Sequence, residues 1–250
     1  MSNELDGKVA IVTGAGRNIG RAIALTLAEG GASILVNARS SRAEAETVVR
    51  EIEAAGGSAL VHIGDVADPK AVQAMADAAL RQFGRIDILV NNAALRREKS
   101  FAEMEYAEWR EILDVTLDGA FHCTKACLAG LRKSQAGTIV NIGGLSAHTG
   151  ARNRAHVVTA KAGIVGLTRA LASEFAADGI TVNCVVPGLI GTPRAKDKPE
   201  PAHHLTHQTL TGKRGRPEDV AAVVRFLCSA GARYVTGQAI HANGGAYLGT

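Results

Sequence analysis

The chain has 250 residues and is 46% hydrophobic, enough to bury a substantial core, and α/β folds of this size are often undivided, so residues 1–250 are expected to form one domain. Its 28 basic and 24 acidic residues leave a formal charge of +4 but are interleaved along the chain, which suits an anionic small molecule and gives no nucleic-acid footprint. The start, MSNELDGKVA, has neither the positive charge nor the apolar core of a signal peptide, and no apolar run is long enough to span a bilayer, so a cytoplasmic protein without membrane contact is expected.

In chain order, short runs rich in β-branched residues alternate with longer stretches of helical period. The strand candidates are 8–13, 33–37, 59–63, 86–91, 137–142, 180–186 and 238–242. The helix candidates are roughly 19–29, 42–55, 69–83, 103–133, 155–177 and 217–229, with Pro69 and Pro217 standing where helices commonly begin. Seven strands separated by crossover helices predict an α/β fold, a doubly wound parallel sheet of the Rossmann type. One stretch breaks the rhythm: 191–216 is polar, proline-bearing and poor in apolar period, and reads as a mobile surface segment that serves as a lid. Its histidines, His203, His204 and His207, have no cysteine pair or paired carboxylate beside them, so no metal site is expected. The four cysteines show no ligand spacing and read as buried free thiols.

Immediately after the first strand stands Thr13-Gly14-Ala15-Gly16-Arg17-Asn18-Ile19-Gly20. Glycines between a strand and a helix let the backbone turn tightly and approach a pyrophosphate, whose charge is met by free N–H groups at the helix start. The second strand decides which dinucleotide binds. An NAD site usually offers a carboxylate there to the ribose hydroxyls, but this chain reads Val36-Asn37-Ala38-Arg39-Ser40-Ser41-Arg42, with no acid before Glu44. Arg17 and Arg39 can instead grip a 2′-phosphate, because the planar guanidinium fork matches phosphate oxygens. NADP(H) is therefore preferred over NAD(H).

Taken with that turn, Asp65-Val66 after strand three, Asn91-Asn92-Ala93-Ala94 after strand four, Lys161 on the long helix and Pro187-Gly188 after strand six resemble the short-chain dehydrogenase/reductase family over essentially the whole chain. The resemblance implies that Gly14, Arg17, Asn18, Ile19 and Gly20 hold the cofactor, and that Asp65 and Val66 flank its adenine. It also places Asn91 and Ala93 on the ribose side, Lys161 on the nicotinamide ribose, and Pro187, Gly188, Ile190 and Thr192 around the nicotinamide. It further implies a homotetramer, which the long apolar-striped stretches at 103–133 and 155–177 suit.

The departures from the family pattern bear on the chemistry. Asn18 stands at a usual glycine, a tolerable change because asparagine enters left-handed backbone conformations. Thr116 replaces the asparagine, Gly144 the serine, and Val157 the tyrosine of the family's active site, leaving Lys161 alone of the usual four. When a carbonyl receives hydride its oxygen needs a proton, and neither Gly144 nor Val157 supplies one; a general acid typically contributes ~10²–10⁴ in rate.

Among replacements, Lys161 itself ranks first, passing a proton through water if its pKa is lowered. Arg154 lies about 20° around the helix from Lys161 and roughly 10 Å along it, placed to polarise a carbonyl or bind a carboxylate. His156 points off that face and reads as a packing or surface residue. Ser146 and His148 belong to the loop after strand five. Arg96, Arg97, Arg152, Arg154 and His148 together suggest a positive cleft mouth suited to an acidic substrate.

The reading is an NADP(H)-dependent oxidoreductase acting on a carbonyl or alcohol small molecule by a route without the tyrosine. Two alternatives stand beside it: a non-catalytic NADP(H)-binding regulatory module, and a lyase- or isomerase-like activity on the same scaffold.

Overall fold

The computed structural model describes residues 3–192 and 208–249. Among these residues one seven-stranded sheet, entirely parallel, runs in the order β3-β2-β1-β4-β5-β6-β7. The strands are β1 (Val9–Val12), β2 (Ser33–Ala38), β3 (Ala59–Ile63), β4 (Ile88–Asn91), β5 (Thr138–Ile142), β6 (Thr181–Pro187) and β7 (Ala239–Ala242). The helices are α1 (Asn18–Glu29), α2 (Arg42–Ala54), α3 (Pro69–Phe83), α4 (Tyr106–Leu113), α5 (Gly119–Lys133), α6 (Ser146–Thr149), α7 (Ala155–Phe175) and α8 (Pro217–Cys228).

Strand side chains alternate between two cores, as the pleat requires. Ala10 and Val12 face a layer built with α1, α2 and α8, whereas Ile11 faces a layer built with α3, α5 and α7. Every β1 residue is therefore buried, which is why the central strands read as continuous apolar runs. Cys123, Cys127, Cys184 and Cys228 are buried free thiols.

Two expectations need correction. The predicted helix at 103–133 is interrupted by a π turn over Asp114–Asp118, which separates α4 from α5 and carries Thr116. Ser146 and His148 lie on the short helix α6 and not in an open loop. Of the predicted lid at 191–216, residues 193–207 lie outside the described residues, as do His203, His204 and His207. Its flanks are tied together: Gly191 N donates to Gly215 O at 2.8 Å, and Gly215 N donates to Leu189 O at 3.0 Å.

Candidate active site

The strand order reverses between β1 and β4, and a crevice opens there at the carboxyl ends of the strands, where ligands of open α/β sheets bind. The cavity measures about 410 Å³. Its floor is the β1–α1 turn. Gly14 adopts a φ of +60°, and Asn18 a φ of 52°, in the left-handed region that asparagine tolerates. A Cβ on Gly20 would strike the Gly14 carbonyl and stand 2.5 Å from Asn92 Nδ2, so only glycine lets α1 start against the turn. The N-terminus of α1 has no side-chain cap and no acid in its first turn, leaving its N–H groups to an incoming anion.

Asn92 and Asn37 hold this turn from both sides. Asn92 Nδ2 donates to Thr13 O at 2.9 Å and Gly14 O at 3.0 Å, and Ala93 N donates to Thr13 Oγ1 at 3.0 Å. Asn37 Oδ1 accepts from Gly14 N, while its Nδ2 donates to Gly64 O at 3.0 Å. The end of β2 is thus filled by an amide already committed to the backbone. Arg17 and Arg39 line the same end of the cavity with Ser40, Ser41 and Glu44. Arg17 lies 4.0 Å from Glu44 across an exposed gap, a weak pair that leaves two cations against one carboxylate. Asp65 and Val66 complete this wall, the Asp65 side chain accepting from Ala67 N at 3.0 Å to set its loop.

Lys161 on α7 does not line this cavity; it is buried at 6% exposure, with Nζ donating to Ile142 O at 2.5 Å. Burial, reinforced by the positive charge of Arg96, pushes its pKa down to about 7. A Cβ on Gly144 would meet just one described atom within 4 Å, Lys161 Cγ at 3.6 Å, so open space adjoins the lysine stem. Val157, one turn before Lys161, is buried in an apolar cluster with Ile112 and Ala160, against which Leu95 and Leu113 pack. Thr116 is buried in the π turn, and its hydroxyl has no hydrogen-bond partner among the described residues.

A family model described as enoyl-(acyl carrier protein) reductase matches residues 14–247. The chain belongs to the short-chain dehydrogenase/reductase family of oxidoreductases. It is 40% identical over 245 residues to the 3-oxoacyl-[acyl-carrier-protein] reductase FabG of Staphylococcus aureus, covering 96% of this chain and 98% of that one. It is 39% identical over 245 residues to FabG of Vibrio cholerae, covering 98% and 99%. A short-chain dehydrogenase from Burkholderia cenocepacia, solved in complex with NADP, superposes with a TM-score of 0.91 at 34% identity, covering 97% of this chain and 99% of that one.

In this short-chain dehydrogenase the expected site residues divide into two groups. Gly14, Arg17, Asn18, Ile19, Gly20, Arg39, Asp65, Val66, Ala93 and Thr192 line the cavity. Asn91 does not: its Nδ2 donates to Asn141 Oδ1 at 2.8 Å, and Asn141 in turn donates to Thr168 Oγ1, so Asn91 ties β4 to β5 inside the core. Pro187 and Gly188 form the backbone wall beyond β6, where Pro187 O accepts from Leu145 N, and Gly188 packs so tightly on Asn243 that a Cβ would come within 2.7 Å of its Cα. Ile190 pairs with Gly215 in an isolated bridge.

The proposed replacements are dispersed. Arg154 immediately precedes α7 and is buried at 7% exposure, bordering a separate cavity of about 510 Å³ with Ser100, Phe101 and Asn153. His156 is buried away from the cavity, and burial lowers its pKa, so it packs as a neutral ring. His148 stacks on His241 at 4.6 Å and Tyr247 at 5.3 Å, beside β7. Arg97 is engaged bidentately by Glu111, which removes its charge from the cleft mouth. Sequence reasoning treated Arg96 as one of several rim cations; in the structure it lines the cavity, and its positive charge adds to the lowering of the Lys161 pKa. Leu95, which precedes Arg96, packs against the Val157 cluster, a contact between residues more than sixty positions apart that no local pattern encodes.

Proposed function

We propose that the protein is an NADP(H)-dependent oxidoreductase that interconverts a carbonyl and an alcohol by a route lacking the usual tyrosine. The observation that carries this reading is the pairing of a glycine-cradled cleft, cationic at the β2 end, with a buried lysine that titrates near neutrality. The residues present fit the cofactor. Gly14 and Gly20 leave the room a pyrophosphate needs over the start of α1, and Arg17 and Arg39 would hold a 2′-phosphate where no carboxylate competes on β2. When bound, the cofactor supplies a hydride to the substrate carbon or accepts one from it.

The protein's own contribution is proton management. Gly144 and Val157 carry no exchangeable side-chain proton, and Val157 turns an apolar face to its neighbours. Lys161, held by the Ile142 carbonyl with a pKa of about 7, is close to the operating pH that favours a general acid–base group, and passes its proton to the substrate oxygen through water. The names of the FabG relatives make 3-oxoacyl compounds the first substrates to test. We also propose a cytoplasmic homotetramer; among the described residues no helix is long and apolar enough to cross a membrane.

The buried Val157 cluster and the idle Thr116 hydroxyl favour a second reading, a nucleotide-binding module without turnover. Thermal melts and NADPH oxidation over a panel of 3-oxoacyl compounds and simple ketones separate the two. NADPH is expected to raise Tm more than NADH at equal concentration, because stabilisation follows RT ln(1 + [L]/Kd), and Arg39→Ala to weaken NADPH by about 1–3 kcal/mol. Equal shifts by both cofactors sink the 2′-phosphate assignment; NADPH binding with no turnover of any carbonyl selects the module.

A further inference from the structure

The edge strand β7 carries a cluster of rings that the proposed carbonyl chemistry does not use. His148 of α6 meets His241 of β7 in a T-shaped contact, with ring centroids 4.6 Å apart. Tyr247, from the segment after β7, lies 5.3 Å from His148 and 5.0 Å from His241. His148 Nε2 and His241 Nδ1 are both buried with no hydrogen-bond partner among the described residues. Tyr247 also closes the C-terminal turn: its carbonyl accepts from Asn243 Nδ2 at 3.0 Å, and Gly245 N donates to Asn243 Oδ1 at 2.8 Å. Residues 209–212 rest on that turn, where Thr211 N donates to Gly244 O at 3.2 Å and a Cβ on Gly245 would come within 2.8 Å of Leu210. A little further on, Gly215 pairs with Gly191, which precedes the cavity-lining Thr192. We propose that His148, His241 and Tyr247 form a proton-sensitive clasp, which holds the C-terminal turn, and residues 209–212 on it, against α6 and opens when the imidazoles take up protons.

The cluster suits neutral rings. An imidazolium has two N–H donors and needs an acceptor for each, yet one nitrogen of each ring is buried without a partner. Burial accordingly lowers the pKa of both histidines, with the positive charge of Arg169 on α7 adding to the effect on His148, and His148 adding to the effect on His241. The charged and titratable groups that face the pair among the described residues are Arg169, from α7, and Tyr247, from the C-terminal segment; none is a carboxylate that could hold an imidazolium. A second proton is harder still to place, because the rings stand 4.6 Å apart and like charges repel. The direction of the pH response follows. Above the ordinary histidine value of 6.5 the closed and open forms both hold neutral rings, and the clasp stays shut. As pH falls below that value, the open form, with its rings in water, binds protons that the closed form does not, so opening is increasingly favoured. The contacts broken are those of one short helix and one turn, which makes the opening local.

Amide hydrogen exchange of the full chain, corrected for the pH dependence of the intrinsic rate, reads the clasp without any need for turnover. The amides of His148, Thr149, Gly150, Thr211 and Ala246 are hydrogen-bonded in the closed form. Between pH 7.5 and pH 5.5 their protection is expected to fall at least fivefold, while protection in α3 stays constant. His148→Phe combined with His241→Phe keeps two rings in place but removes the titration, and is expected to abolish the acid response. Should that double variant fail to fold, exchange of the imidazole Cε1 protons in the unaltered chain, followed by mass spectrometry, titrates each histidine separately. His148 and His241 are then expected to titrate below 6.5. Protection at the five amides that does not change with pH overturns the clasp, and so does titration of both histidines at or above 6.5. An acid loss that persists in the folded double variant assigns the response to other groups and overturns it equally. A loss shared in full by α3 is general acid unfolding, which leaves no local clasp.

Discussion

At residue 157 the side chain is a valine surrounded by Ile112, Leu95 and Leu113, and at residue 144 a glycine leaves open space next to Lys161. The two positions respond differently to enlargement. A serine at 144 meets only ordinary contact, its Cβ 3.6 Å from Lys161 Cγ. A tyrosine at 157 must displace packed apolar neighbours, and such overpacking typically costs about 1–3 kcal/mol. Restoring both hydroxyls is nevertheless expected to help catalysis. Val157→Tyr with Gly144→Ser should raise NADPH-dependent ketone reduction at least tenfold, equivalent to about 1.4 kcal/mol of barrier, with Lys161→Ala abolishing the gain. Steady-state NADPH oxidation checks this, and an unchanged rate in a folded, NADPH-binding double variant shows a pocket shaped for other chemistry. The identities at 144, 157 and 161 were legible from motif spacing. The pKa of Lys161 was not, because it is set by burial and by a cation brought from a distant segment.

Among the elements, the π turn between α4 and α5 bears most directly on the cleft. A π turn adds a residue to the helical cycle and is frequent at functional sites; here it turns Thr116 inward and brings Gly119 against Val66. A Cβ on Gly119 would stand 2.7 Å from Val66 Cγ2, and Val66 lines the cavity. Gly119→Ala is therefore expected to push α5 away from the β3–α3 loop, lower stability by about 1–3 kcal/mol, and weaken NADPH measurably. Thermal melts with and without NADPH test it; a variant with an unchanged Tm and unchanged NADPH shift breaks the link between α5 and the cleft. Helical period marks the 103–133 stretch as helix but not its interruption, since a single extra residue per turn scarcely alters an apolar stripe. The four-residue α6 was missed for a related reason: one turn is too short to display a period.

For the whole molecule, large apolar side chains remain on the outside of the helical layers. Tyr106, Phe121 and Phe226 are exposed on α4, α5 and α8, and β7 ends the sheet as an edge strand. Exposed aromatics and an open sheet edge are surfaces that symmetric assemblies cover. Light scattering at micromolar concentration is expected to report a homotetramer, and Phe121→Glu or Phe226→Glu to lower the mass. A monomer in the unaltered protein overturns the assembly.

The alternation of β-branched runs with helical stretches was sufficient to determine the doubly wound parallel sheet, because burial on both faces forces continuous apolar strands and each crossover needs a helix. The glycine turn and the end of β2 were likewise legible as features that the structure brings to one cavity, since both are local backbone and charge requirements. Tertiary structure alone decided the rest. Asn91 and Asn92 are adjacent in sequence, yet Asn91, the last residue of β4, is spent inside the core on Asn141, and Asn92, just past the strand, holds the Thr13–Gly14 turn. Arg96 and Arg97 are also neighbours, yet one lines the cavity and the other is captured by Glu111. Charge and residue type are written in the chain, but the partner that a side chain meets is set by contacts between distant segments, and those contacts exist only in the folded molecule.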